Sequence, residues 1–550
     1  MNTPVKPMCD EAIIRSRRAM PTTHFNPNWA LVATILGSSL AFIDGTVVNV
    51  ALPSIQRQFG ASGAEAQWII EAYSLFLSAL ILLGGSLGDR FGRKRVYMLG
   101  IALFTLASVV CGLAPTIGAL IVARAAQGVG GALLVPGSLA IISATFDESR
   151  RGAAIGLWSG FTTVTSALGP VLGGWLVENA TWRWVFFINA PIALVTLAIV
   201  FWRVGESRDP AATGALDWRG ATLATIGLGA LVYGLIEASA VGFMTPLVIG
   251  AIVVGVAALA AFVAVEARSP APMISLRLFR SRTFTGANLL TLLLYGALGG
   301  ALYFLPFNLQ QAQGYTATEA GAALLPMTVV IFTLSRWTGG LTQRIGAKIP
   351  LVVGAALAAV GFALFATPSL GGSYWTTFFP AVVMLSLGMA LVIAPLTTAV
   401  MNAAPVAQAG EASGINNAVS RSAGLIAIAV MNLIFVAVFN PAFDARLAAL
   451  HLDPALLQAL DAQRGRLAGA HAPAGTPAAT AAAIDHAIKL AFVGGFRVVM
   501  LVGAALALAS SVAAALLVEG KSFGALARQA SASVRGSRPA PSRSDARRGA

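Results

Sequence analysis

The sequence is poor in charge. Of its 550 residues, 11% are Asp, Glu, Lys or Arg, against 57% hydrophobic. A soluble domain carries about 25% charged residues. A single water-soluble core stops growing near ~250–300 residues, so this much apolar surface excludes a large soluble enzyme. Cysteine is almost missing. Cys9 precedes the first apolar run and Cys111 lies inside another, which argues against a disulfide framework. The four histidines, His24, His451, His471 and His486, are spaced too widely to suggest a metal site. No small-residue cleavage site follows the first apolar run, so it reads as an uncleaved span rather than a signal peptide. A complete phosphate loop is also lacking. Gly520-Lys521-Ser522 imitates its end, but Ala515 stands where the first glycine is required. Gly128-Val-Gly130 imitates a dinucleotide fingerprint inside an apolar run, where no βαβ unit forms. No cofactor is implied.

What the sequence has is long apolar runs. A crossing helix needs roughly 20 apolar residues. Windows of that kind fall at 29–50, 67–87, 97–114, 117–142, 153–177, 184–203, 219–236, 245–265, 284–308, 318–340, 350–367, 376–400, 412–439 and 489–518. The fold class is therefore an all-α integral membrane protein of about 14 transmembrane helices. The net charge is +14, but the basic residues sit between the apolar runs, which fits topology better than nucleic-acid binding. Lys6 to Arg18, Arg90 to Arg95, Arg150 and Arg151, Arg203 to Arg219, Arg268 to Arg282, Arg344, Lys348 and the tail from Lys521 fall on one side. That side is expected to be cytoplasm, with both termini in it and the protein in the cell inner membrane. Residues 1–28 form a cytoplasmic N-terminal segment. Residues 440–488 form a long periplasmic loop with an amphipathic stretch near Pro454–Leu467, and 519–550 a disordered, basic cytoplasmic tail.

The loop after the second window reads Gly85-Ser-Leu-Gly-Asp-Arg-Phe-Gly-Arg-Lys-Arg95. One comparable stretch follows the tenth, Gly339-Gly-Leu-Thr-Gln-Arg-Ile-Gly-Ala-Lys348, with Gln343 in the place of Asp89. A decayed duplicate at this position means two related halves, with the substrate site between them. Gly85–Arg95 resembles the signature loop of the major facilitator superfamily. Ile43-Asp-Gly-Thr-Val-Val-Asn-Val-Ala-Leu-Pro53, Arg124-Ala-Ala-Gln-Gly-Val-Gly-Gly131 and Gly169-Pro-Val-Leu-Gly-Gly174, with Gly156 upstream, resemble first-, fourth- and fifth-span motifs of its fourteen-span drug:proton antiporter branch. The resemblance implies the major facilitator fold. Two six-helix halves, 29–203 and 284–518, would flank a linker, 204–283, that carries two extra transmembrane helices.

Charges inside spans are expensive and point to function. Asp44, Glu71 and Arg124 come out at similar depth at ~1.5 Å per residue, so they are expected to share one buried cluster that couples transport to protons. An arginine moving toward or away from an acid would switch it between releasing and holding a proton. A static ion pair that fixes helix packing is the alternative, and Glu71 would also suit a cationic substrate. Arg421, too deep to reach the interface, should face a cavity or an acceptor such as Asn416 or Asn417. With Gln127, these residues are the candidates for the substrate cavity. In the loop, Gly85, Asp89, Arg90, Gly92, Arg93 and Lys94 are expected to form a cytoplasmic gate, a charge cluster that Asp147 or Glu148 completes through Arg93. In the fifth span Gly156, Gly169, Pro170, Gly173 and Gly174 would let backbones approach and bend. Thr165 stands where the resemblance leads one to expect glycine.

These features lead to a proton-coupled secondary antiporter that exports small amphipathic molecules, with the substrate, protons and the bilayer as its partners. The resemblance also leaves room for a periplasmic adaptor and an outer-membrane channel. A metabolite exporter or an uptake symporter of the same fold is the near alternative. A non-transport membrane sensor is the distant one, and no soluble region carries a catalytic constellation that would favour a sensor or a membrane enzyme.

Overall fold

A computed structural model describes residues 26–208, 216–269, 272–405 and 408–520. The N-terminal segment, apart from its last residues, and the basic tail from 521 onward lie outside the described residues. Among those described there is no strand. A bilayer interior offers no water to unpaired backbone groups, so the apolar runs become helices.

Among the described residues, fourteen helices are long and apolar enough to cross a membrane. They are α1 (Pro27–Phe59), α2 (Gly63–Phe91), α3 (Arg93–Leu113), α4 (Ile117–Thr145), α5 (Glu148–Asn179), α6 (Trp184–Arg203), α7 (Trp218–Val241) and α8 (Pro246–Arg268). Then follow α9 (Arg282–Ala312), α10 (Ala317–Ala322 continued by Leu325–Ile345), α11 (Lys348–Phe365), α12 (Phe379–Asn402), α13 (Ala409–Ala448) and α14 (Ala478–Leu517). Local chemistry sets the ends. The side chain of Asn26 accepts the Asn28 N–H before Pro27, and Gly60 closes α1 with φ 62°. Ser62 and Glu65 form a capping box that starts α2. The helices alternate in direction. The basic loop 85–95 and the start of α1 lie on one face of the bundle, called here the basic face. The 60–63 and 449–477 connections lie on the other.

Helices α1–α6 and α9–α14 form two bundles. In the first, α4 packs closely on α2 and α3. A Cβ on Gly84 would overlap the Ala132 carbonyl, and one on Gly130 would overlap the backbone of Phe104. Small residues are what allow such approach. The inserted pair lies along one edge of the junction between the bundles. α7 fills the seam between α2 and α13 through Leu75, Ala79, Leu228, Val232, Ile236, Leu425 and Ala429. α8 packs mainly on α7.

The long loop is shorter than the apolar windows imply. α13 and α14 each run for 40 residues, about 60 Å, twice the ~30 Å hydrocarbon core. Hydropathy marks where a helix is apolar, not where it stops. Alanines and the Asp485–Lys489 pair at 2.7 Å carry α14 well beyond the apolar stretch. The connection is therefore 449–477. It contains a short helix, Pro454–Asp461, and a 3-10 turn, Arg464–Gly469. It docks on the first half, where Gln56 Nε2 donates to the Arg466 carbonyl at 3.3 Å.

Tight packing at Gly84 gives a direct check. Gly84→Val should overpack the α2–α4 contact by about 1–3 kcal/mol and lower the melting temperature in detergent micelles. Gly156→Val, where nothing lies within 4 Å, should leave it within ~0.5 kcal/mol of the parent. Equal melting of the two variants would contradict this packing.

Candidate functional site

Asp44 and Arg124 are both fully buried, and the structure brings them together. Arg124 Nη1 donates to Asp44 Oδ2 at 2.6 Å. Gln127 Nε2 donates to Asp44 Oδ1 at 2.8 Å, and Asn189 Nδ2 reaches the same oxygen at 3.3 Å. Arg124 also donates from Nη1 to Gln127 Oε1 at 2.8 Å and from Nε to the Ile69 carbonyl at 2.9 Å. Asn189 is held in turn by Ser108 Oγ at 2.9 Å. The Arg124 guanidinium lies over the Tyr73 ring, 4.3 Å from its centroid. One carboxylate thus ties α1 to α4 and α6, and one guanidinium ties α4 to α2. Stripping two charges of water costs several kcal/mol per ion, which this bonding offsets. Such a cluster is weak evidence of stability and stronger evidence of function.

Glu71 is not part of it. Ile69 and Tyr73, four residues apart on α2, face Arg124. Glu71 is two residues from each, and about 100° per residue puts it on the opposite side of the helix. Depth along the axis was right and rotation about it was not. Glu71 is fully buried. Gln67 Nε2 approaches its Oε1 at a long 3.5 Å, and its Oε2 has no hydrogen-bond partner. Tyr303 of α9 is close enough to feel its charge, so Glu71 faces the second half.

Gln127 was expected in a substrate cavity and instead holds Asp44. Asn189, Tyr73 and Ser108 complete the cluster and were missed. The signal for Asn189 and Ser108 was a polar residue deep in an apolar run, but nothing in the sequence says which acid they reach.

On the basic face, Arg93 Nε bonds Asp89 Oδ1 at 2.8 Å, one helical turn apart. Asp147, the expected partner, is exposed at the start of α5 and does not pair with Arg93. The Glu148 side chain lies outside the described residues. Among the described residues, the further acid that engages the loop is Glu206, after α6. It accepts the backbone N–H groups of Lys94 at 3.0 Å and Arg95 at 3.3 Å, capping the positive end of α3. Lys94 Nζ donates to the Phe201 carbonyl at 2.8 Å. Gly92, at φ 111°, is required here, because a Cβ would stand 2.7 Å from the Glu206 carboxylate. Arg90 lies over the Phe91 ring at 5.6 Å. Gly85 makes an ordinary contact with Pro136.

The α5 motif divides by depth. Gly169 packs on Thr46 and Gly173 on Val47, where a Cβ would come within 2.5 Å of Val47 Cγ2. Gly174 packs on the Ala317 backbone, and Gly321 of α10 packs on the Pro170 carbonyl. The Gly174 and Gly321 contacts seal the two halves together on the face opposite the basic loop, while Gly169 and Gly173 hold α5 to α1. Gln310 Nε2 to the Val50 carbonyl at 2.9 Å and Gln311 Nε2 to Gln56 Oε1 at 2.9 Å add to the seal. Toward the basic face, Gly156 meets open space and Phe161 is 54% exposed, so Gly156 makes no helix contact here. Thr165 bonds the Thr162 carbonyl of its own helix at 3.0 Å and so spares the seam.

In the second half, Asn416 Nδ2 donates to Asn288 Oδ1 at 3.1 Å and Thr291 Oγ1 at 2.8 Å, while Asn417 Nδ2 turns back to the Ser413 carbonyl at 3.1 Å. Neither is the acceptor for Arg421. The two asparagines line a polar cavity of about 110 Å³ with Tyr295, Thr397, Ser413 and Ser420. Arg421, one turn further on, acts electrostatically on Tyr73. Tyr73 therefore stands between Arg124 of the first half and Arg421 of the second.

The family described as the Major Facilitator Superfamily matches residues 34–429. The chain is 35% identical over 430 residues to the multidrug resistance protein Stp of Mycobacterium tuberculosis, covering 77% of this chain and 79% of that one. It is 32% identical over 491 residues to the tetracenomycin C resistance and export protein of Streptomyces glaucescens, covering 88% and 90%. It is 37% identical over 412 residues to the puromycin resistance protein pur8 of Streptomyces alboniger, covering 74% and 81%. Among solved structures, an inward-facing bacterial homolog of the human lysosomal transporter Spinster superposes with a TM-score of 0.58 at 19% identity, covering 88% of this chain and 97% of that one. That likeness concerns the fold.

The geometry of the pair can be tested by its non-additivity. Arg124→Leu leaves a buried carboxylate without its cation and should destabilise by about 3–5 kcal/mol. Adding Asp44→Asn should recover most of that loss in thermal melts. A double variant that melts at the sum of the two single losses would rule out the pairing.

Proposed function

We propose, for a chain that belongs to the major facilitator superfamily, that it exports small amphipathic molecules across the inner membrane in exchange for protons. The basic face is taken as cytoplasmic, by the distribution of Lys and Arg. The relatives named for multidrug, tetracenomycin C and puromycin resistance support a drug-sized substrate. The observation that carries the reading is a shared turn of α1. Asp44 sits in the ion pair, while Thr46 and Val47, two and three residues on, are the surface on which α5 closes.

The mechanism follows from that turn. With the outer side sealed, Asp44 is ionised and held by Arg124. Protonation of Asp44 removes the charge that fixes Arg124 Nη1 and leaves the guanidinium bound to the Ile69 carbonyl and the Tyr73 face. α1 is then free to move against α4. Because α1 also carries the α5 contact at Gly169 and Gly173, its movement loosens the seam that α5 makes with α10 at Gly174 and Gly321. The outer side opens and substrate leaves; the proton, taken up from that side, is released to the cytoplasm once the outer side reseals, which restores the pair. Glu71, buried and without a cationic partner among the described residues, serves as a second proton carrier or as the anion for a cationic substrate. The cavity at Tyr295, Asn416 and Asn417 receives polar substrate groups from the cytoplasmic side. Asp89, Arg90, Arg93 and Lys94 act as the cytoplasmic gate when the seal changes sides.

Everted vesicles with a gradient of about one pH unit provide the test. One coupled proton supports about a tenfold concentration ratio, since one unit is ~1.36 kcal/mol. Puromycin or ethidium should accumulate to that extent with the parent protein, and each addition should discharge part of the gradient. Asp44→Asn should bring the ratio close to one while exchange of labelled for unlabelled probe continues. Accumulation that persists without any gradient would refute proton exchange, and full activity of Asp44→Asn would remove that residue from the coupling.

A further inference from the structure

The inserted helix pair carries an unusual carboxyl site of its own. Asp217 caps the N-terminus of α7, where its Oδ1 accepts the Gly220 N–H at 2.7 Å. Glu266, near the end of α8, is 3% exposed, and its Oε2 accepts the Ile274 N–H at 3.0 Å. The other oxygen of each acid, Asp217 Oδ2 and Glu266 Oε1, is buried and accepts no hydrogen bond from the protein. These two oxygens converge. A Cβ on Gly220 would lie 2.6 Å from Glu266 Oε1 and 3.0 Å from Asp217 Oδ2, and the carboxyl groups are within hydrogen-bonding reach of each other. Glycine at 220 is what leaves room for them.

Two carboxylates cannot face each other this way with both ionised, because like charges at such a distance are strongly unfavourable. Two remedies exist, a cation or a proton. A hard divalent cation takes six or more oxygen ligands, and among the described residues no group of three His, Cys, Asp or Glu side chains converges anywhere. Asp217 is the only charged group, among the described residues, that acts on Glu266 through space. Arg219 on α7 and Arg268 on α8 are exposed. Glu411 of α13 is engaged with the Ser275 N–H at 2.9 Å.

We propose that Asp217 and Glu266 bind one proton between them, forming a carboxyl–carboxylate clasp that no transport step uses. The bond runs from the protonated oxygen of one acid to the bare oxygen of the other, so each oxygen gains the partner it lacks. The clasp has a defined place. Glu266 holds the linker at Ile274, Glu411 holds its next residue, and the linker leads into α9. The proton thus ties the first turn of α7 to the junction between the inserted pair and the second half. When it leaves, two facing carboxylates repel and the turn separates from the linker.

The test needs no transport assay. The folded pair keeps a proton that the unfolded chain has already released, so stability falls as pH rises through its release. Full-length protein in detergent micelles should lose about 2 °C or more of melting temperature across that step between pH 5 and 9. In Glu266→Gln the amide donates to Asp217 Oδ2 at every pH, and in Asp217→Asn it donates to Glu266 Oε1 while the cap is kept. Both variants should lack the step and melt above the parent on its alkaline side. Curves parallel to the parent in both variants would overturn the proposal. So would a saturable rise in the parent's alkaline melting temperature with Na⁺ or K⁺ at fixed ionic strength, absent from Glu266→Gln, since that would make the pair a cation site.

Discussion

Asp44 and Arg124, 2.6 Å apart with almost no solvent, impose a demand that the rest of the first half satisfies. Ions stripped of water cost several kcal/mol each, and their attraction offsets this only when the remaining polar positions are filled. Gln127 and Asn189 fill the carboxylate, and the Ile69 carbonyl and the Tyr73 face take the guanidinium. Those partners come from α2, α4 and α6. The helices must therefore lie close enough for short side chains to reach, which the glycines of α4 permit. Gly128, four residues from Arg124, lets α4 rest on the Tyr73 carbonyl. Close packing and the buried pair are two sides of one requirement.

Under the proposed mechanism the same requirement makes the pair a switch rather than a rivet. A neutral Asp44 would still fill its space but would no longer demand a cation. α1 is more broadly engaged with α5 than with α4, which it also meets through the Ser38–Ser138 hydrogen bond at 2.7 Å. A change of one charge on α1 is passed to α5 without any intermediate part, and from α5 to α10 through Gly174 and Gly321. Coupling of this kind depends on two discrete arrangements of packed elements. The open space beside Gly156 and the sealed contact at Gly174, on one helix, show that α5 packs differently on its two ends.

Much of this was legible in the sequence. Number and order of spans follow from hydropathy, because the bilayer fixes the length of an apolar run. Asp44 and Arg124 stood out because charge inside such a run is rare. Rotation was not legible. Glu71 lies at the right depth and on the wrong side of α2, since a two-residue step turns the side chain by about 200°. Partners far apart in sequence were equally hidden. Glu206 is 112 residues from the Lys94 N–H it caps, and nothing near it marks it as belonging to the loop 85–95, so Asp147, nearer in sequence, was the natural guess. The lengths of α13 and α14 were missed for a different reason, because helices continue past the membrane wherever alanine-rich sequence allows.

The two halves have diverged in a way that assigns them different work. In α9–α14 every acid stands near a helix end, at Glu319, Glu411, Asp444 or Asp485, and none stands where Asp44 does. The duplicate of the signature loop has Gln343 in place of Asp89. What the second half keeps at depth is amides and hydroxyls grouped around a polar cavity, with Arg421 nearby in the sequence of α13. A half without a buried acid cannot hold a coupled proton on a carboxylate, whereas the first half keeps two buried acids, Asp44 in the ion pair and Glu71 with one oxygen unbonded. On the proposed reading, proton chemistry falls to α1, α2 and α4, and α9, α12 and α13 receive the polar groups of the substrate. Tyr73 is the side chain on which the charges of Arg124 and Arg421 both act, so an event at either site changes the field at the other.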